Sequence, residues 1–168
     1  IIKNSREYNF PINIKLVISN QQRANGINFA KKFSIPYMVL NYNKTKFEKI
    51  ATKLLLENKI NLLCLAGFMR VLSKKFIRNF KGNIINIHPS LLPKYKGLNT
   101  FSRVLHDGAK NTGCTVHYVN EKLDSGKIIL KKRVSINKDD NPEKLKKRVQ
   151  IEEYKAYSIA IRKIYAKN

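Results

Sequence analysis

The feature that most constrains this chain is a regular exchange of short apolar runs with amphipathic stretches over its first two-thirds. Residues 60–66 form a nearly continuous apolar run, the pattern of a strand covered on both faces. Around that run, residues 12–19, 37–40 and 83–87 read as further strands. Residues 24–33, 45–58 and 74–80 read as helices between them. Strands and helices that alternate in this way imply right-handed crossovers and a parallel sheet.

The pattern changes after a proline-rich loop at residues 89–97. A helix is expected over 100–107, then strands over 115–119 and 128–136 separated by an Asp124-Ser125-Gly126 turn. These two strands fit the antiparallel edge of a mixed sheet. Pro142 suits a first helical turn with Asn141 as its cap, so a long helix is expected to run to about Tyr165. No internal repeat or linker divides the 168 residues, and a single α/β domain over residues 1–168 is expected.

Charge and cysteine content narrow the classes of function. Lysine and arginine number 34 against 11 acidic residues, a formal charge of +23. The cations are scattered from Lys3 to Lys167, mostly single or paired between apolar residues, with no basic stripe and no aromatic platform. That distribution favours background charge, with some steering of anionic substrates, over a specific nucleic-acid site. Cys64 and Cys114 lie in apolar, strand-like surroundings without metal spacing, and are expected to be small buried hydrophobes in a reducing compartment. No apolar run reaches membrane-spanning length and no secretory leader is evident, so a soluble, cytoplasmic protein without a metal is expected.

In open α/β sheets, ligands bind outside the carboxyl ends of the strands. Three such ends stand out here, at residues 67–72, 86–93 and 120–124. Strand alternation puts Asn86 and His88 on one face where the chain leaves the sheet. An amide donor can stabilise an oxyanion while an imidazole holds or moves a proton. Asp124 is the natural carboxylate partner for His88, although aspartate is also favoured in such a turn simply as a turn former. His117, alternating with Thr115, reads as structural or supporting, and His106, late in a helix, as solvated. Amide, imidazole and carboxylate, without an obvious nucleophile, point to direct acyl transfer through a tetrahedral intermediate.

At this point the residues resemble a known family. The segment Asn86-Ile87-His88-Pro89-Ser90-Leu91-Leu92-Pro93-Lys94-Tyr95, followed by Gly97-Leu98-Asn99-Thr100, is similar to the active-site segment of glycinamide ribonucleotide formyltransferases. Upstream, Leu65-Ala66-Gly67-Phe68-Met69-Arg70-Val71-Leu72 resembles the family's folate-pocket segment. Downstream, residues 113–119 and Leu123-Asp124-Ser125-Gly126 resemble the strand and turn that bring in its aspartate. Val149-Gln150 with Glu153 resembles the helix that contacts the ribonucleotide.

The resemblance implies a Rossmann-like formyltransferase fold, with a mixed, mostly parallel sheet flanked by helices. It implies 10-formyltetrahydrofolate as cosubstrate and glycinamide ribonucleotide as acceptor, in de novo purine synthesis. Asn86 would polarise the formyl carbonyl, His88 would act in proton transfer, and Asp124 would hold His88 and a relaying water. The folate would meet Lys44, Met69, Arg70, Val71, Leu72, Asn120, Glu121, Lys122 and Leu123, and the ribonucleotide would meet Gln150 and Glu153.

Departures from the family pattern fall at Asn99, where histidine is usual, around Lys96 and Phe101, and at Ser125. The chain opens on Ile1, and the family's first strand and glycine-rich phosphate loop are expected to be missing, which would leave this chain alone a poor binder of the ribonucleotide. Three other readings remain: a methionyl-tRNA formyltransferase, a formyltetrahydrofolate deformylase, and a basic nucleic-acid-binding protein.

Overall fold

A computed structural model of the chain describes residues 1–166. It divides into two compact units, residues 1–63 with 70–82, and residues 64–69 with 83 onward.

In the first unit a short 3-10 turn, Asn4–Arg6, precedes strand β1 (Val17–Ser19), helix α1 (Asn25–Lys32), strand β2 (Tyr37–Val39), helix α2 (Lys44–Glu57) and helix α3 (Lys74–Asn79). β1 and β2 pair in parallel, Val17 with Tyr37 through Ser19 with Val39. The expected strand at 12–19 is therefore shorter than its hydrophobic pattern. Exposure does alternate along 11–16, but the three-residue β2 gives only residues 17–19 a ladder partner.

α2 starts where the Asn43 side chain accepts from the Lys46 amide at 3.0 Å, and it buries Phe47, Ala51 and Leu55 at a four-residue spacing. α3 starts where Ser73 Oγ accepts from the Phe76 amide at 3.1 Å. The Glu48 carboxylate in turn accepts from the Ser73 amide and hydroxyl.

Strand β3 (Leu62–Leu65) is half-buried along its length rather than sealed on both faces. It joins β4 (Asn83–His88), β5 (Asn111–Tyr118) and β6 (Ile128–Ser135) in a four-stranded sheet of that order. β4 with β5 and β5 with β6 are antiparallel, against the parallel pair of the first unit, giving the mixed α/β character expected.

β5 begins four residues earlier than its hydrophobic pattern predicts. Asn111, Thr112 and Gly113 read as loop but are held by pairing to Ser135, Val134 and Arg133. Six consecutive residues of β5, from Thr112 to His117, are buried. A Cβ at Gly113 would stand 1.9 Å from the Lys132 carbonyl oxygen, so only glycine permits this approach.

Helix α4 (Thr100–His106) and helix α5 (Pro142–Tyr165) complete the second unit. α5 opens as expected: Asn141 accepts from the Lys144 amide at 2.8 Å and Pro142 occupies the first turn. Its buried stripe of Leu145, Val149, Ala156 and Ala160 follows the helical period and packs with Val104, Cys114 and Val116. Full burial of Leu145 alone is worth about 2 kcal/mol. Farther along α5, the buried Tyr157 hydroxyl lies 2.8 Å from the Leu65 carbonyl and 3.1 Å from that of Ile85, tying the helix to sheet backbone.

Candidate active site

β4 ends at His88, and Asn86 lies two residues before it, so both side chains leave the same face of the strand. The antiparallel register places Asn86 opposite His117 and His88 opposite Thr115. β5 then runs into a turn whose last residues are Asp124, at φ 44°, Ser125 and Gly126. A Cβ on Gly126 would stand 1.7 Å from the Tyr118 carbonyl oxygen, so the turn folds back this tightly only with glycine there. Its tightness returns the Asp124 carboxylate toward the ends of β4 and β5.

Four side chains meet there. His88 Nδ1 lies 3.3 Å from Asp124 Oδ2, and His117 Nε2 lies 3.8 Å from Asp124 Oδ1. Asn86 Nδ2 lies 3.5 Å from His117 Nε2. All three ionisable side chains are buried, at 7, 3 and 8% exposure for His88, His117 and Asp124. Coulomb interactions among them are accordingly stronger than between surface groups.

The two histidines have opposite hydrogen-bonding surroundings. His117 Nδ1 faces the Tyr118 carbonyl at 2.8 Å, and a carbonyl can only accept. The proton of neutral His117 therefore sits on Nδ1, leaving Nε2 as an acceptor for the Asn86 amide. Burial lowers the pKa of His117 below the ordinary value, and the His88 and Lys96 charges act in the same direction. The Tyr118 carbonyl and Asp124 oppose that shift. The orientation of Asn86 follows, with one amide hydrogen toward His117 and the other free for an incoming oxygen.

His88 instead faces an acceptor at each nitrogen. Nε2 lies 2.8 Å from the Tyr95 carbonyl, and Nδ1 faces the Asp124 carboxylate. With Nε2–H donating to Tyr95, Nδ1 is the nitrogen turned to Asp124, and a proton placed between them would be held by both groups.

The loop after β4 fixes both partners. The Gly97 amide donates to Asp124 Oδ2 at 2.9 Å, two residues beyond the carbonyl that holds His88. Ser90 Oγ donates to the Lys94 carbonyl at 2.6 Å, and Thr115 Oγ1 donates to the Ser90 carbonyl at 2.7 Å while accepting from the Leu92 amide. The Arg103 guanidinium donates to the Lys96 carbonyl at 2.6 Å and lies over the Tyr95 ring. Few of these bonds involve solvent-exposed groups, and together they restrict the loop to one path.

The other residues of interest distribute unevenly. Asn120 sits on the turn that carries Asp124, its amide donating to the Ser125 carbonyl at 3.3 Å and its Oδ1 accepting from the Lys122 amide. Glu121 is half-buried, while Lys122 and Leu123 are exposed. Met69 is 74% exposed, which removes it from any core.

Lys44, Arg70, Val71 and Leu72 belong to the first unit. Lys44 is the exposed first residue of α2, and Arg70 donates to the Tyr42 carbonyl at 2.7 Å with its guanidinium over Phe47. Val71 is exposed and Leu72 is buried.

Gln150 and Glu153 lie three residues apart on α5, both half-buried. Glu153 sits on the inward stripe between Val149 and Ala156, and burial pushes its carboxyl up to about 7 against the pull of Lys146.

His117 is the side chain of this cluster that reading along the chain underrates. Its alternation with Thr115 was the visible signal, but its place opposite Asn86 depends on a register between strands far apart in sequence. His106 is exposed, as expected, beside Asp107. Cys64 and Cys114 are free, and burial pushes both thiols up to about 12, as befits inert packing groups. Among the described residues, no helix is long and apolar enough to cross a membrane.

Comparison with known proteins points the same way. The family described as formyl transferase matches residues 1–161. The phosphoribosylglycinamide formyltransferase of Haemophilus influenzae is 39% identical over 166 residues, covering 96% of this chain and 78% of that protein. The trifunctional purine biosynthetic protein adenosine-3 of Bos taurus is 41% identical over 165 residues, and the chain spans 16% of its length. Among solved structures, the phosphoribosylglycinamide formyltransferase of Bacillus halodurans superposes with a TM-score of 0.91 at 32% identity, covering 99% of this chain and 89% of that one.

Proposed function

The chain belongs to the formyl transferase family, and from that premise we propose that it moves the formyl group of 10-formyltetrahydrofolate onto the amine of glycinamide ribonucleotide. The observation that carries the reading is the meeting of Asn86, His117, Asp124 and His88, with the amide on one histidine and the carboxylate between both.

In this reaction the acceptor amine attacks the formyl carbon and a C–N bond forms. The carbonyl oxygen takes the electron pair, and the outward hydrogen of Asn86 stabilises it. Both ring nitrogens of His88 are engaged, so its part is a proton held jointly with Asp124 rather than a free nitrogen. Asp124, through a water, takes a proton from the attacking amine. The C–N10 bond then breaks, and N10 of the departing tetrahydrofolate receives a proton.

The exposed apolar side chains of Met69 and Leu123 and the polar turn at Asn120 support contact of Met69, Asn120, Glu121, Lys122 and Leu123 with a flat heteroaromatic cosubstrate. Gln150 and Glu153 are proposed to meet the ribonucleotide. A half-buried carboxyl on the inward face of α5 would regain in an ion pair with an amine some of what burial costs it.

The test is one assay with three acceptors. 10-Formyltetrahydrofolate is supplied with glycinamide ribonucleotide, with initiator methionyl-tRNA, or with water alone, the last read as formate release. The ribonucleotide is expected to win by roughly 100-fold or more in kcat/KM. Preference for the tRNA or for water would overturn the substrate assignment and leave the formyl-transfer chemistry standing.

A further inference from the structure

Two joints connect the loop after β4 to the turn that carries Asp124, and only one of them touches the carboxylate. The Gly97 amide donates directly to Asp124 Oδ2. One residue earlier, Lys96 Nζ donates to Ser125 Oγ at 2.5 Å, and that hydroxyl donates onward to the Leu123 carbonyl at 2.8 Å. The hydroxyl that Lys96 holds thus ties together Ser125 and Leu123, the two sequence neighbours of Asp124. The Lys96 backbone is itself held, because Arg103 takes its carbonyl. A lysine with four rotatable bonds loses considerable entropy in such an arrangement, so the contact is costly unless it sets something.

We propose that Lys96 and Ser125 are positioning residues, a clasp that holds the Asp124 turn against the His88 loop and places a cation beside the site. Neither residue contacts the reacting atoms in this account. Both act through Asp124, whose carboxylate is met by His88 from β4, His117 from β5 and the Gly97 amide from the loop. Burial is what chiefly holds the pKa of His117 below the ordinary value, and the Lys96 ammonium adds to it in the same direction, which suits His117 as a neutral acceptor for Asn86. The Lys96–Ser125 contact thus adds a side-chain hold on the Asp124 turn to the backbone hold of Gly97.

The role in turnover rests on the formyl-transfer reading above, and the test separates the two. Lys96→Met, Lys96→Arg, Ser125→Ala and the Lys96→Met/Ser125→Ala double variant are compared with the unaltered protein. Lys96→Met is expected to lower kcat about 10-fold, since small misplacements of reacting groups are costly, while KM changes by less than about 2-fold. Lys96→Arg should restore most of the rate, and the double variant should be no slower than Lys96→Met.

Independently of turnover, the NMR titration of His117 should move up toward the ordinary histidine value in Lys96→Met. If the wild type transfers no formyl group to the ribonucleotide, the functional reading fails and the His117 titration alone judges the clasp. An unmoved His117 titration overturns the proposal, as does a loss of thermal stability with kcat intact.

Discussion

The two units are built with different tolerances. In the first, β1 and β2 are three residues long with no fully buried position, and Gly26 in α1 has open space where a side chain would go. In the second, β5 buries six residues in succession, and Gly113 and Gly126 sit where an added carbon would fall within 2 Å of a neighbouring backbone oxygen. Asn86, His88, His117 and Asp124 all belong to the second. A group that must be held to within about 0.5 Å needs neighbours whose own positions are fixed. The chain meets that requirement with close backbone approaches and a loop pinned at Ser90, Tyr95 and Gly97, whereas the first unit has such an approach at Gly82, against the Asn61 carbonyl, and open space at Gly26.

The sharpest way to break this comparison is to add one carbon in each unit. Gly126→Ala should destabilise the protein by about 4 kcal/mol or abolish folding, because the methyl meets the Tyr118 carbonyl rather than a movable side chain. Urea unfolding measures it, and a change below about 1 kcal/mol would mean that the turn relaxes freely.

Glu153→Gln probes the cost of function inside the tight unit. The Glu153 carboxyl is raised from 4.5 to about 7 by burial, so the folded state binds its proton more tightly than the unfolded chain does. Its favourable contribution is complete below about 4.5 and is lost as pH rises through about 7. The variant should therefore be more stable than wild type by on the order of 2 kcal/mol at about pH 8, with the difference vanishing in acid. It should also bind the amine substrate less well. Equal stability at both pH values would show that the carboxylate is solvated.

The smallest effect is expected in the first unit. Gly26→Ala should stabilise by about 0.5 kcal/mol, the ordinary gain for an exposed helical site. A loss at Gly26 as large as that at Gly126 would erase the distinction between the units.

Local chemistry explains how much of this was legible beforehand. α5 has the expected bounds because Asn141, Pro142 and the spacing of Leu145, Val149 and Ala156 are all signals within one segment. β5 was underestimated because Asn111, Thr112 and Gly113 have turn-like side chains and are strand only through β6. β1 was overestimated for the converse reason, since Ile12 and Ile14 alternate correctly but have no ladder partner there. In the site, Asn86, His88 and Asp124 were visible from residue type and order. The direct contact of His117 required the register of β4 on β5, and the clasp of Lys96 on Ser125 joins residues 29 positions apart. Neither pairing leaves a trace in local sequence.

The central claim is that formyl transfer depends on the Asn86 amide and the proton shared by His88 and Asp124. It is tested most directly by turnover of 10-formyltetrahydrofolate with glycinamide ribonucleotide in Asn86→Ala and Asp124→Asn, with thermal unfolding followed on the same samples. The account predicts a loss of roughly 100- to 1,000-fold in kcat for Asn86→Ala, the scale of a missing oxyanion donor, and a clear loss for Asp124→Asn, with unfolding temperatures near wild type. Near-normal turnover in both folded variants would contradict it.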